Sequence, residues 1–478
     1  MESDSQMKQS EDLSTSASPG LYRIGILTAA VYLLTFFFYL KGPQSHSRAA
    51  KEIFAWFIVS SLLFLFWKGY RIVSHTSDIS PRLIVGFGVL LGVLACLIYP
   101  FHSTDIFGYI NLGWQQVHYG QNPYLYSLAD VPNWQQDPMF RKHWLYTPDT
   151  YGFLFTLLTR AVCRLGNGHW RLTLFLFKII NLVAYALISW LIWLGAKRLG
   201  HLNPVTSLYV FMWNPLILMH HLANGHNDLL PACFVLLALY LAIIGCGFWI
   251  IPALVVGALM KHAPAIVIPL AFIFVVKRQG WKVAITSCVA SVVIVALAGL
   301  PFLGDWEYFR TVDIVTNTTL IDNSCHSFLI HVFELVARLI PALSTYHDAA
   351  NSTIKDVLRI GLLVFLILQL WRISKSPTRN HFLQQSLLSM FVLICVASSK
   401  FNGWYMGMLL PMALLLDPKY WLRRLVILVT SFELLSLTFL KQAYILNYLV
   451  WIVLPALIVY RQQRAERSLA PETPGDKG

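Results

Sequence analysis

The feature that most constrains this chain is a series of apolar runs, each about 15 to 22 residues long, recurring from Leu21 to Tyr460. As a helix rising 1.5 Å per residue, each run approaches the length that crosses about 30 Å of hydrocarbon. Apolar residues make up 57% of the 478 positions and charged residues 12%, against about 25% charged in a water-soluble domain. One water-exposed surface cannot cover so much apolar chain. In lipid every backbone N–H and C=O must find a partner inside the protein, so runs of this length fold as helices. The expected fold is an all-α polytopic membrane bundle of about 12–14 transmembrane helices, with interfacial helices in the outer loops. Spans are expected near 21–40, 53–67, 83–100, 171–195, 204–220, 229–247, 283–303, 354–372, 383–397, 404–416, 424–440 and 444–460, with two short pieces at 249–260 and 264–276.

The net charge of +13 would suggest nucleic acid in a soluble protein. Here the bases gather in short loops between spans, so they report orientation and no nucleic-acid partner is expected. Lys197/Arg198, Lys277/Arg278/Lys282, Arg372/Lys375/Arg379, Lys419/Arg423/Arg424 and Arg461/Arg464/Arg467 share one face, which the positive-inside rule assigns to the cytoplasm. Only Lys41, Arg48 and Lys51 run against that bias. Residues 1–19 are polar and lack the features of a signal peptide, and read as a disordered cytosolic tail; 461–478 read as a cytosolic tail. Residues 20–460 then form one membrane domain, with long outer loops at 101–170 and 304–353 on the face away from the cytoplasm. Cys96, Cys233, Cys246, Cys288 and Cys395 lie in apolar runs, Cys163 and Cys325 in loops, and no CxxC pair occurs. Neither a disulfide framework nor a zinc site is expected.

Four polar constellations fall on that outer face. After the span ending at Pro100, Ser103 or Thr104 can cap a helix whose first turn holds Asp105, and Tyr109 follows one turn later on the same side. A carboxylate at a helix N-terminus is favoured in its ionised form, which makes Asp105 an available base. A role in stabilising the helix start alone fits equally well. The rest of 101–170 is rich in rings, amides and cations: Trp114, Asn122, Tyr124, Arg141 and the interfacial helix expected from Tyr151 to Leu165. Such residues stack on sugar C–H faces and bind hydroxyls and phosphate, and an aromatic membrane belt uses the same types. The second constellation is Trp213-Asn214-Pro215, His220-His221 and Asn224-Gly225-His226-Asn227-Asp228. Its histidines lack the helical spacing of a metal site, so no metal or cofactor is expected, and a hydrogen-bond network around a donor sugar is expected instead. The third, Lys261-His262-Ala263-Pro264, breaks an apolar run and leaves a lysine at the lipid boundary, where a lipid-linked phosphate would sit; snorkelling is the alternative. The fourth, from Ser399 to Pro411, supplies Lys400, Trp404 and Tyr405.

This order of features resembles the GT-C superfamily of membrane glycosyltransferases. More narrowly, Asp105-Ile106-Phe107-Gly108-Tyr109, Gly120-Gln121-Asn122-Pro123-Tyr124, Asn224 through Asp228, Lys261 through Pro264 and Trp404-Tyr405 through Pro411 resemble the polyprenol-phosphomannose-dependent alpha-1,6-mannosyltransferases of bacterial cell envelopes. The resemblance covers about residues 80–460, and departs from the family pattern at Tyr151-Gly152-Phe153, where a proline after the glycine is expected, and at Lys400-Phe401-Asn402-Gly403. It implies inverting transfer of a sugar, mannose foremost, from a polyprenyl-phosphate donor to a hydroxyl of a glycan or glycolipid acceptor outside the cytoplasm. Asp105 takes the catalytic-base role; Tyr109, Asn122, Asn224, His226, Asn227 and Asp228 the donor-sugar network. Lys261, His262, Arg141 and Lys400 would meet the lipid phosphate, and Trp114, Tyr124, Trp404 and Tyr405 the acceptor. A lipid or solute transporter also uses broken helices and intramembrane charge. Against it stand the lack of an inverted repeat of the 101–170 loop and the gathering of polar groups on one face.

Overall fold

The computed structural model describes residues 2–76, 78–200, 202–302, 323–440 and 443–469. The protein is an all-α polytopic membrane protein, and no strand occurs among the described residues. Its helices are α1 (Glu2–Tyr39), α2 (Arg48–His75), α3 (Pro81–Leu97), α4 (Asp105–His118), α5 (Phe153–Gly166), α6 (Trp170–Leu199), α7 (Pro204–Met212), α8 (Leu229–Ile244) and α9 (Ile250–Met260). They continue as α10 (Ile268–Gln279), α11 (Trp281–Gly299), α12 (Cys325–Leu339), α13 (His347–Lys375), α14 (Arg379–Phe391), α15 (Met406–Ala413), α16 (Trp421–Phe439), α17 (Tyr444–Tyr448) and α18 (Leu454–Leu469).

Seven helical stretches among the described residues are long and apolar enough to cross a membrane unaided, and Pro81–Leu97, Leu229–Ile244 and Gly247–Met260 are shorter apolar helices. The expected bundle of helices is present, and part of it is built from shorter or broken helices. Several expected spans are interrupted: π-helical turns occupy Ile217–Ala223, Val392–Ala397 and Leu449–Val453, and a 3₁₀ turn at Ala263–Val267 separates α9 from α10. Such turns widen or tighten the backbone where polar side chains must be placed, and they collect at functional sites.

The loops and tails are also largely helical where described. The segment read as a disordered tail is helical from Glu2, and α18 carries the C-terminal segment on to Leu469. In both cases adding residues to an existing helix costs little once its nucleus is held by packing. The second outer loop is largely helical where described, with α12, a 3₁₀ turn at Pro341–Tyr346 and the start of α13; 303–322 and 470–478 lie outside the described residues.

Burial sorts the helices by role. Ser207 through Leu229 is buried without interruption, which places α7, the π turn and the start of α8 at the centre of the bundle. By contrast Val292, Leu297, Val357 and Ile360 are more than half exposed. On a soluble protein that apolar surface would aggregate; here it is the lipid-facing wall. The interfacial helix expected at 151–165 is α5, whose Phe155, Thr156, Thr159, Val162 and Cys163 are buried against α4 and neighbouring helices.

Candidate active site

The site begins where α3 ends. Lys178, buried in α6, donates to the carbonyls of Cys96 and Ile98, replacing partners that the last turn of a helix lacks. The chain then turns through Phe101, His102 and Ser103, whose backbone N–H groups all donate to Asn224 Oδ1, at 2.9, 2.7 and 3.3 Å. One buried amide from the central helix thus fixes the entry to α4.

Asp105 is the first residue of α4, and its backbone N–H donates to Ser103 Oγ. Its carboxylate lies between two imidazoles: His143 Nε2 is 3.5 Å from Oδ1 and His226 Nδ1 is 3.3 Å from Oδ2. Burial by itself would raise this carboxyl; the contacts with His143 and His226 outweigh burial and hold it below the usual carboxylate range. Asp105 is therefore ionised at neutral pH. Two glycines permit this geometry. Gly108 carries the His143 and Trp144 rings on its bare Cα face, and Gly225, at φ 79°, adopts a left-handed conformation and leaves room for Ile106.

The remaining groups fan out from His226. Its ring, fully buried, stacks on Trp404 with centroids 3.8 Å apart and planes 13° from parallel. Two residues on, Asp228 Oδ1 meets Lys261 Nζ at 2.6 Å, and that ammonium sits 4.6 Å from the Tyr405 ring centroid. Tyr109 donates its hydroxyl to Asn227 Oδ1 at 3.3 Å, and the Tyr151 hydroxyl approaches that of Tyr109 at 3.5 Å. Burial pushes both phenols well up, which keeps them donors. Asp105, Tyr109, Asn224, His226, Asn227, Asp228, Lys261, Trp404 and Tyr405 are thus joined in one contact network.

The other residues singled out from sequence are placed elsewhere or turned to other partners. Trp114 stacks on His118 and donates Nε1 to Asp137, inside its own loop. Asn122 Oδ1 accepts from the Tyr124 N–H, while the Tyr124 hydroxyl donates to the Tyr151 carbonyl and shares a 2.7 Å hydrogen bond with Thr156. Thr156 in turn donates to Asp149, a buried carboxyl pushed up to about 6 by burial, with the Thr156 hydroxyl and backbone N–H groups pulling it partly back. These residues build the floor beneath the Tyr109–Tyr151 pair. The Arg141 guanidinium lies 4.5 Å from the Trp170 ring centroid and donates to the Pro138 and Phe140 carbonyls. His262 Nε2 pairs with the Thr150 carbonyl, and the backbone of Lys400 is tied to Ser398. Two contributors were given no role from sequence: His143 and Lys178. The signal available for Lys178 was a charge inside an apolar span; His143 offered only its place in a basic and aromatic run.

Residues 22–278 match the family model described as alpha-(1->6)-mannopyranosyltransferase, N-terminal domain. The chain belongs to this family. Relatives include two proteins named alpha-(1->6)-mannopyranosyltransferase A. The one from Corynebacterium glutamicum is 25% identical over 173 residues, 36% of this chain and 34% of that protein. The one from Mycobacterium tuberculosis is 26% identical over 170 residues, 36% of this chain and 32% of that protein. The chain thus matches about a third of the length of these curated relatives. The family match takes in Asp105, both imidazoles and the Asp228–Lys261 pair, whereas Trp404 and Tyr405 lie beyond it.

Proposed function

We propose that this protein is an inverting mannosyltransferase that moves mannose from a polyprenyl-phosphate donor to a hydroxyl of a glycan or glycolipid acceptor on the extracytoplasmic face. The observation that carries this reading is the Asp105 carboxylate, ionised at a helix N-terminus, with an imidazole at each oxygen and a stacked Trp404 beside it.

In this reading Asp105 takes the acceptor hydroxyl proton as that oxygen bonds to the anomeric carbon and the bond from that carbon to the phosphate oxygen breaks. A strongly stabilised carboxylate is a weak base, so the acceptor hydroxyl displaces an imidazole from one oxygen and raises the basicity of the carboxylate as it does so. Polyprenyl phosphate leaves with the bonding electrons. Lys261 is the cation nearest to this network; Asp228 occupies part of its donor capacity, and an ammonium with three N–H groups has others to offer a phosphate. The extracytoplasmic assignment rests on the basic clusters, which fall at the helix ends opposite the Asp105 end when the chain is followed span by span.

The test is transfer from a panel of radiolabelled polyprenyl-phosphate sugars to membrane extract, comparing purified wild type with Asp105→Asn. Loss of a positioned base lowers the rate by about 10²- to 10⁴-fold, with lipid donor still bound. If wild type consumes no donor, yet vesicles containing it move a lipid or solute and Asp105→Asn leaves that movement intact, the transferase reading fails.

A further inference from the structure

A second polar feature lies behind Trp404. Glu433, in the apolar helix α16, is buried, and its Oε2 has no hydrogen-bond partner among the described residues. A lone carboxyl inside a membrane helix is expensive, and such residues persist where they meet something polar. This one faces a cavity of about 20 Å³ lined by Asn402, Gly403, Trp404, Asn447, Trp451 and Phe401, among others. That volume holds one hydroxyl-sized group.

The lining divides cleanly into satisfied and unsatisfied groups. Asn402 donates to the Tyr405 hydroxyl, and Asn447 donates to Asn323 and accepts from Ser436. Two buried atoms of the lining remain without partners among the described residues: the acceptor Glu433 Oε2 and the donor Trp451 Nε1. A single hydroxyl satisfies both, donating its proton to the Glu433 carboxyl oxygen while its own oxygen accepts from the indole. Gly403 has no side chain here, and a Cβ at that position would run into the Glu433 carboxylate. Trp404 borders the cavity and also stacks on His226, which touches Asp105; the Lys261 ammonium meets the neighbouring ring, Tyr405. The cavity therefore adjoins the base side of the network.

We infer that the Glu433–Trp451 notch is an acceptor subsite that holds one sugar hydroxyl while the reacting hydroxyl lies at Asp105. This rests on the transferase reading. The experiment uses the full chain in detergent with polyprenyl-phosphate mannose, an alkyl oligomannoside acceptor and its monodeoxy derivatives, comparing wild type, Glu433→Gln and Glu433→Leu. Glu433→Leu raises the acceptor KM at least tenfold, kcat falls by a smaller factor, and the donor KM is unchanged. One deoxy position costs wild type a comparable factor and costs Glu433→Leu little further. Glu433→Gln, which keeps shape and one acceptor oxygen, falls between the two. If every deoxy loss is as large in Glu433→Leu as in wild type, the notch binds water or serves packing alone, and the inference is overturned while the transferase reading stands. If wild type transfers nothing to any acceptor, both fall. Thermal unfolding of each variant in the same detergent separates misfolding from lost binding: a KM change that vanishes once folded fraction is corrected also overturns it.

Discussion

The Asp228–Lys261 pair allows a sharp test of how charge is held in this site. Asp228 is fully buried and the lysine side chain about one-fifth exposed, with 2.6 Å between Oδ1 and Nζ. Lys261→Met strands a buried carboxylate, whose other oxygen already lacks a partner among the described residues, at a cost of about 3–5 kcal/mol. Asp228→Asn leaves an ammonium that keeps some water and the Tyr405 ring, and costs about 1–3 kcal/mol. The double change D228N/K261M removes both charges and costs about 1–2 kcal/mol, because exchanging a whole buried pair for neutral groups is often nearly neutral. The coupling is then at least about 2 kcal/mol. Denaturant unfolding of the four proteins in one detergent measures it. Losses that simply add would refute the argument, since each charge would then be solvated independently. The double variant also isolates function: it keeps the fold but lacks the cation, so the donor KM rises. Unchanged donor binding would remove Lys261 from the phosphate.

Other outcomes follow from the same geometry. The Asp149 carboxyl titrates near 6 in the folded protein and near 3.9 unfolded, so it binds its proton more tightly when folded. Stability from this group is full below pH about 4 and falls by about 3 kcal/mol as pH rises through 6; melting curves from pH 4 to 8 should show that slope in wild type minus Asp149→Asn. Gly225→Ala places a side chain at φ 79° against Ile106, costing about 1–2 kcal/mol from backbone conformation alone, and Ile106→Val should restore part of the loss in unfolding assays. Gly403→Ala pushes on the Glu433 carboxylate and should reproduce the raised acceptor KM of the Glu433 variants with the donor KM unchanged.

The helical membrane fold was legible because burial of backbone in lipid leaves apolar runs few other forms. Its interruptions were less so: the broken run at Lys261-His262-Ala263-Pro264 announces itself through charge and proline, whereas the π turn at Ile217–Ala223 changes only hydrogen-bond register inside an apolar sequence. Asp105 was legible because a helix start has local signals. Its flanking imidazole His143 comes from an irregular loop and meets it only once that loop lies on Gly108. Likewise the sequence displays Asp228 and Lys261 as separate charges, and their pairing across 33 residues is a product of the fold. Side-chain type also says little about direction. Trp114 and Trp404 look alike as aromatic residues in polar segments, yet one stacks on His118 and the other on the imidazole beside Asp105.

The site is assembled from two portions of the chain with different work to do. Asp105, His143, His226, Asp228 and Lys261 all fall within residues 22–278, the portion matched by the family model. In the proposed reading these groups supply a base, its flanking imidazoles and a cation for the departing phosphate. Trp404, Glu433 and Trp451 fall outside that portion, and Trp404 meets the imidazoles of the first portion by ring contacts with His226 and His220. In the proposed reading a notch that holds one hydroxyl can change without disturbing Asp105, because Trp404 joins the two by stacking on His226 and not by a shared charge. Selectivity for acceptor can then vary across relatives that keep the same chemistry, and a hydrogen-bonded site rejects an acceptor lacking the matching hydroxyl more sharply than apolar contact alone.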